Sequence, residues 1–243
     1  MAKGFTVKAK NPVKKKAAAP PEFDYAKAKE MVKGKTVVFC LPGRGVSYTF
    51  LKSFVSLCFD LVQSGANIQI SQDYSSMVNF ARCKCLGANV LRGPNQLPWD
   101  GKLPYDYQLW IDSDIVFNVE KFYQILLMDK DIAAGWYCTE DGKTTSVAHW
   151  LEEDDFRTNG GVMNHETIES ISKRKKPFTV DYTGFGWLLI KKGVLNTKVC
   201  LILGLLQRCR YLNLVKFKTC AVKMYHSASM QKKQDLKSGV THR

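Results

Sequence analysis

Two kinds of apolar run alternate along the first half of the chain, and that alternation constrains the fold more than any other feature. Thr36 to Leu41 (TVVFCL) is continuous and rich in β-branched residues, as a strand buried on both faces must be. After Pro42-Gly43-Arg44-Gly45, residues Tyr48 to Val62 repeat apolar positions at helical spacing and stop before Gly65. Asn67 to Gln72 reads as a strand, Met77 to Leu86 as a helix closed by Gly87, and Leu91 to Asp106 as a loop broken by Gly and Pro. Tyr107 begins another strand, Val119 to Met128 reads as a helix, and Asp131 to Tyr137 as a strand. The order β-α-β-α-β-α-β predicts an α/β domain, a Rossmann-like, mostly parallel sheet with helices on both faces. A chain of 243 residues, 45% hydrophobic, can close one sizeable core around it.

The central stretch, Tyr107 to Val119 (YQLWIDSDIVFNV), carries the chemistry. An apolar run ends in Asp112 and Asp114, and on an extended backbone residues i and i+2 project to one side. Two hard oxygen donors suit Mg²⁺ or Mn²⁺, which complete their shells with water and substrate phosphates. A second pair, Asp129-Lys130-Asp131, precedes its strand instead of closing it. Ligands of open α/β sheets bind outside the carboxyl ends of strands, so Asp112 and Asp114 are the candidate metal ligands and the second pair is a helix-to-strand turn.

The net charge of +14 is concentrated at the two ends. Residues 1 to 35 carry +7 and residues 191 to 243 carry +11, which leaves 36 to 190 at −4. A mildly acidic middle does not make a nucleic-acid groove, and no specific nucleic-acid partner is expected. Residues 1 to 35, rich in Lys, Ala and Pro, are expected to form a basic disordered arm, with order beginning near Thr36. No apolar core segment of a secretory signal lies in Met1 to Ala19, and no run reaches the ~20 apolar residues of a membrane span. The eight Cys are therefore expected to be reduced thiols in a cytoplasmic compartment.

Pro42, Gly43 and Arg44 form either an ordinary βα turn or one whose arginine and backbone N–H groups meet a nucleotide. Arg82, inside the second helix, is either solvated or directed at a diphosphate. Beyond Cys138 the pattern becomes irregular, with a short strand at Ser146 to Leu151, an acidic cluster at Glu152 to Asp155 and a short helix within Asn164 to Lys176. His149 and His165 are read as surface or structural. Thr179 to Ile190 (TVDYTGFGWLLI) places Gly184 and Gly186 around Phe185 and before Trp187. Those glycines permit close approach of a ligand, and an aromatic face there suits a sugar.

The phrases VVFCLPGRG, NFARCKCLGAN, LWIDSDIVF and DYTGFGWLLIKKGV, in this order, resemble GT-A-type glycosyltransferases encoded by large algal viruses such as the chloroviruses. The resemblance spans about Thr36 to Val194. It implies a nucleotide-sugar donor, a uridine diphosphate sugar being the first candidate, with Mn²⁺ or Mg²⁺ bridging its phosphates. Asp114 would be a metal ligand, and Asp112 would contact the ribose, the metal or both. Pro42, Gly43, Arg44 and Arg82 would serve the donor, while Asp181, Gly184, Phe185, Gly186 and Trp187 would lie toward the sugar and a glycan or glycoprotein acceptor. The setting it implies is viral capsid glycosylation in the host cytoplasm.

After Val194 the likeness stops, and residues 195 to 234 contain no acid where family members carry a Gly-Glu-Asp-type segment. Reading the last base of each codon with the first two of the next, Ala221 to Tyr225 permits Gly-Glu-Asp-Val. We therefore read residues from about Leu195 to 243 as an atypical basic tail, out of frame, and no residue is named as catalytic base. Two alternatives to the enzyme follow: a catalytically impaired donor-binding remnant, and a nucleic-acid-binding protein acting through its basic termini.

Overall fold

The computed structural model describes residues 24–92, 96–139, 142–151, 153–158, 160, 163–174, 176–196 and 219–222. It is a mixed α/β fold built on a seven-stranded sheet. In chain order the elements are α1 (Tyr25–Val32), β1 (Thr36–Pro42), α2 (Tyr48–Gln63), β2 (Asn67–Asp73), α3 (Val78–Cys85), β3 (Tyr107–Ile111), α4 (Val119–Leu126) and β4 (Ile132–Gly135). They continue as β5 (Thr144–His149), α5 (Glu153–Thr158), β6 (Asn164–Thr167), α6 (Ile168–Ser172), β7 (Phe178–Val180), β8 (Tyr182–Thr183), β9 (Trp187–Lys191) and β10 (Thr219–Val222).

The strand order is β2-β1-β3-β9-β4-β10-β7. β2, β1 and β3 run parallel, β4 and β10 run with them, and β9 and β7 run against their neighbours. The period of two sorts the core into layers. Val37, Phe39, Leu109, Ile111, Trp187 and Leu189 face α1, α2 and α4, whereas Val38, Cys40, Trp110, Leu188 and Ile190 face α3. Helices thus cover both faces, as the sequence pattern predicts. A separate three-stranded sheet, β6-β5-β8, stands beside the main one.

Two departures from the sequence reading have local causes. Residues 25–32 belong to the fold and not to a disordered arm: Asp24 caps α1 by accepting from the Lys27 N–H at 2.9 Å, and Ala28 and Val32, four apart, are fully buried in the core that α4 shares. Within Asn164 to Lys176 a strand comes first; helix α6 starts only after Thr167, whose hydroxyl accepts from the Ser170 N–H at 3.1 Å. Thr179 to Ile190 is divided among the end of β7, β8, a turn at Gly184 to Gly186, and most of β9. Of the tail from Leu195 onward, a short 3₁₀ turn ends at Asn196 and Thr219–Val222 enters the sheet as β10; the remainder lies outside the described residues.

Candidate functional site

Because β1 and β3 are neighbours and parallel, the segments leaving their carboxyl ends meet. Gly43 lies against Ser113, close enough that a Cβ at Gly43 would sit 3.5 Å from the Ser113 Cβ and Oγ. Pro42, Gly43, Arg44, Gln72, Ile111 and Ser113 line a cleft of about 290 Å³ there. The Gly43 N–H donates to the Asp73 carbonyl at 3.0 Å, and the Gln72 side-chain amide donates to the Gly43 carbonyl, so β2 fixes the turn. Arg44 is exposed, with its guanidinium 3.9 Å above the Tyr74 ring.

The two carboxylates flank Ser113 on a turn and not on the extended backbone predicted. β3 ends at Ile111, and the Ile115 N–H closes a turn on the Asp112 carbonyl at 3.1 Å. Asp114 is exposed on that turn, while Asp112 is half-buried. Burial raises the pKa of Asp112 and the nearby negative charge of Asp114 adds to the rise; Arg82 opposes both. One terminal nitrogen of Arg82 stands 3.4 Å from each Asp112 carboxylate oxygen. That bond is long, and the buried Arg82 Nε has no partner among the described residues. The Arg82 guanidinium also lies 4.7 Å over the Phe185 ring, which packs edge-on against Trp110 at 5.5 Å.

The two glycines of the 184–186 turn make room for a residue the sequence reading did not single out. A Cβ on Gly184 would fall 2.1 Å from the Tyr137 hydroxyl, and one on Gly186 would fall 2.8 Å from the same ring. Gly186 donates its N–H to Tyr137 Oη at 3.1 Å and accepts from the Asp112 N–H at 3.1 Å. Tyr137 thereby fixes the backbone from which Asp112 leaves the sheet. Burial, helped by the Asp112 charge, pushes the Tyr137 hydroxyl up to about 12, so it stays a neutral hydroxyl at physiological pH. The strand-end rule that selected Asp112 also applies to Tyr137, which lies beyond the carboxyl end of β4.

Two predicted contacts are not part of this cluster. Trp187 is 0% exposed and lies against Phe117 at 4.5 Å between ring centroids, so it is a core residue and offers no face to a sugar. Asp181 belongs to the second sheet's surroundings. It accepts from the Trp150 N–H at 3.2 Å and stands 3.3 Å from His149, whose other ring nitrogen is 3.2 Å from Glu166. Glu166 in turn pairs with Arg174 and accepts from the Ser170 hydroxyl. His165 is bonded to the Thr145 carbonyl at 2.9 Å, a structural role like the one expected of it.

Among the described residues no group of three or more His, Cys, Asp or Glu side chains is gathered as a metal site. What Asp112 and Asp114 offer is a pair of hard oxygen ligands on one turn, which fits a cation that takes its remaining ligands from water and phosphate. The second Asp-x-Asp is the turn it was read as: the Asp129 N–H bonds back to Leu126 at 3.0 Å, and its carboxylate pairs with Lys191 at 2.6 Å. Cys40, Cys58, Cys83, Cys85 and Cys138 are free thiols, and no helix among the described residues is long and apolar enough to cross a membrane.

No family model matches the chain, and no curated protein matches it significantly. Among solved structures it aligns with the crystal structure of A197 from STIV, at a TM-score of 0.43 and 16% identity over 78% of this chain and 82% of that one.

Proposed function

We propose that the chain is a GT-A-type glycosyltransferase that holds a nucleotide sugar in the cleft between the Pro42-Gly43-Arg44 turn and the Asp112-Ser113-Asp114 turn. The observation that carries this reading is the contact of Gly43 with Ser113, the residue between the two acids, which brings the glycine-rich, arginine-bearing turn that lines the cleft beside the turn that carries Asp112 and Asp114. Arg44, free to leave the Tyr74 ring, supplies charge and a two-pronged donor to a phosphate. Arg82 pairs with Asp112, and Phe185 packs against that guanidinium. Asp112 and Asp114 are the residues that would hold Mn²⁺ or Mg²⁺. When bound, such an ion supplies Lewis acidity that neutralises the departing nucleoside diphosphate. A glycan or glycoprotein is the proposed acceptor, reached from the open side of the cleft.

Calorimetric titration of uridine diphosphate sugars with and without Mn²⁺, on the wild type and on Asp114→Ala, tests the reading. Asp114 is exposed, so the substitution leaves the fold intact while the metal-enhanced part of binding falls at least tenfold. Donor binding that ignores both the metal and Asp114 would sink the proposal. Metal-dependent binding without transfer to any acceptor would identify a donor-binding remnant. Binding that appears only with nucleic acid and collapses with salt would identify the third class.

A further inference from the structure

We propose that β2 and the outer face of α2 form a self-complementary interface through which two copies of this chain pair about a twofold axis. α2 carries more apolar surface than its core contact uses. Phe50, Leu57 and Leu61 are buried in the core, yet Tyr48, Leu51, Val55, Phe59 and Val62, spaced three and four apart, form a second stripe that is 40 to 91% exposed. A surface helix ordinarily keeps one apolar face, and here a second apolar stripe beside the buried one is left partly exposed by the described residues.

The adjacent sheet edge points to the occupant. β2 is the first strand of the sheet, in unbroken register with β1 from Asn67 to Asp73, and among the described residues its outer edge pairs with no other strand. Little blunts this edge: the strand reads NIQISQD, with no Lys, no Pro and no bulge, and its one charge, Asp73, stands at its end. Ile68 packs against the core beneath α2, so Ile70, two residues on and 57% exposed, projects from the same face and extends the stripe to the edge. A lipid surface would cover the apolar stripe but could not satisfy the free N–H and C=O groups of β2.

A second copy satisfies both. Antiparallel pairing of β2 with itself around Ile70 places the two Asp73 side chains, the strand's only charges, at opposite ends roughly 20 Å apart. With a fully covered aromatic contributing about 150–250 Å², the stripe and Ile70 offer on the order of 600 Å² per copy. Added to the paired edge, this approaches the ~800 Å² per partner of a standard interface.

Light scattering of the full chain across micromolar concentrations tests the pairing. The wild type should be a dimer, and Ile70→Lys and Phe59→Glu should each raise the dissociation constant at least tenfold. Both side chains are exposed, so the circular dichroism of the variants should be unchanged. Should either variant fail to fold, hydrogen exchange on the wild type decides: β2 amides should exchange more slowly as concentration rises. A wild type that is monomeric throughout overturns the proposal, as does a dimer insensitive to both substitutions, concentration-independent β2 exchange, or association with phospholipid vesicles in place of self-association.

Discussion

Gly184→Ala tests the packing that sets the position of Asp112. The new Cβ would lie 2.1 Å from Tyr137 Oη, 3.0 Å from its Cζ and 3.3 Å from the Ser146 Cβ. The Tyr137 backbone cannot simply shift to relieve the clash, because it is tied to Ser146 on both sides: its N–H donates to the Ser146 hydroxyl at 3.2 Å and its carbonyl accepts the Ser146 N–H at 2.8 Å. Overpacking of this kind costs about 1–3 kcal/mol, and a displaced hydroxyl leaves the Gly186 N–H without its acceptor, about 1 kcal/mol more. At about 2–4 °C per kcal/mol for a chain of this size, the melting temperature should fall on the order of 10 °C. Tyr137→Phe alone should cost about 1–2 kcal/mol through the lost acceptor. In the Gly184→Ala background the same change removes the clashing atom, so a double-mutant cycle by urea denaturation should return a favourable coupling of about 1–2 kcal/mol. Gly186→Ala provides the comparison: its Cβ meets the hydroxyl and Cζ at 2.8 Å and Cε1 at 2.9 Å, and because Phe retains both carbons the rescue should be smaller there. Additive costs for Gly184→Ala and Tyr137→Phe would refute the argument.

Two further outcomes can be checked by denaturation. Burial works to raise the pKa of Glu166, but bonds from Ser170 and His149 and the Arg174 charge outweigh it and leave the pKa below its ordinary 4.5. A depressed folded-state pKa stabilises the fold above the unfolded value and loses that contribution as pH falls through the folded one. Glu166→Gln should therefore destabilise the protein at neutral pH, with the difference from wild type shrinking as pH drops below 4.5; a pH-independent difference would contradict the assignment. Val32→Ala, at a fully buried position of α1, should cost about 2 kcal/mol, and a null effect would show that α1 is not docked on the core.

How far the sequence discloses the site depends on which of its rules are local. β1, α2, β2, β3 and α4 are legible because each buries a face whose period the residues repeat. α1 escapes because only Ala28 and Val32 of it are fully buried, and Lys27, Lys29 and Glu30 give YAKAKEMV the composition of a solvated arm. Neighbourhood across the sheet is not local. That β9 enters antiparallel between β3 and β4 cannot be read from an apolar run that has no inherent direction, yet this insertion puts Gly186 opposite Asp112. Phe185 and Trp187 illustrate the same limit. In an unbroken strand, residues two apart would share a face, but the turn at Gly184 to Gly186 sends Phe185 to the Arg82 side of the sheet and Trp187 to the α2 and α4 side. The acids show why a location can be legible when its geometry is not. A turn closed by Ile115, in place of an extended backbone, presents Asp112 and Asp114, but any polar pair that ends a buried parallel strand must emerge at the carboxyl edge, where the turn after β1 also emerges.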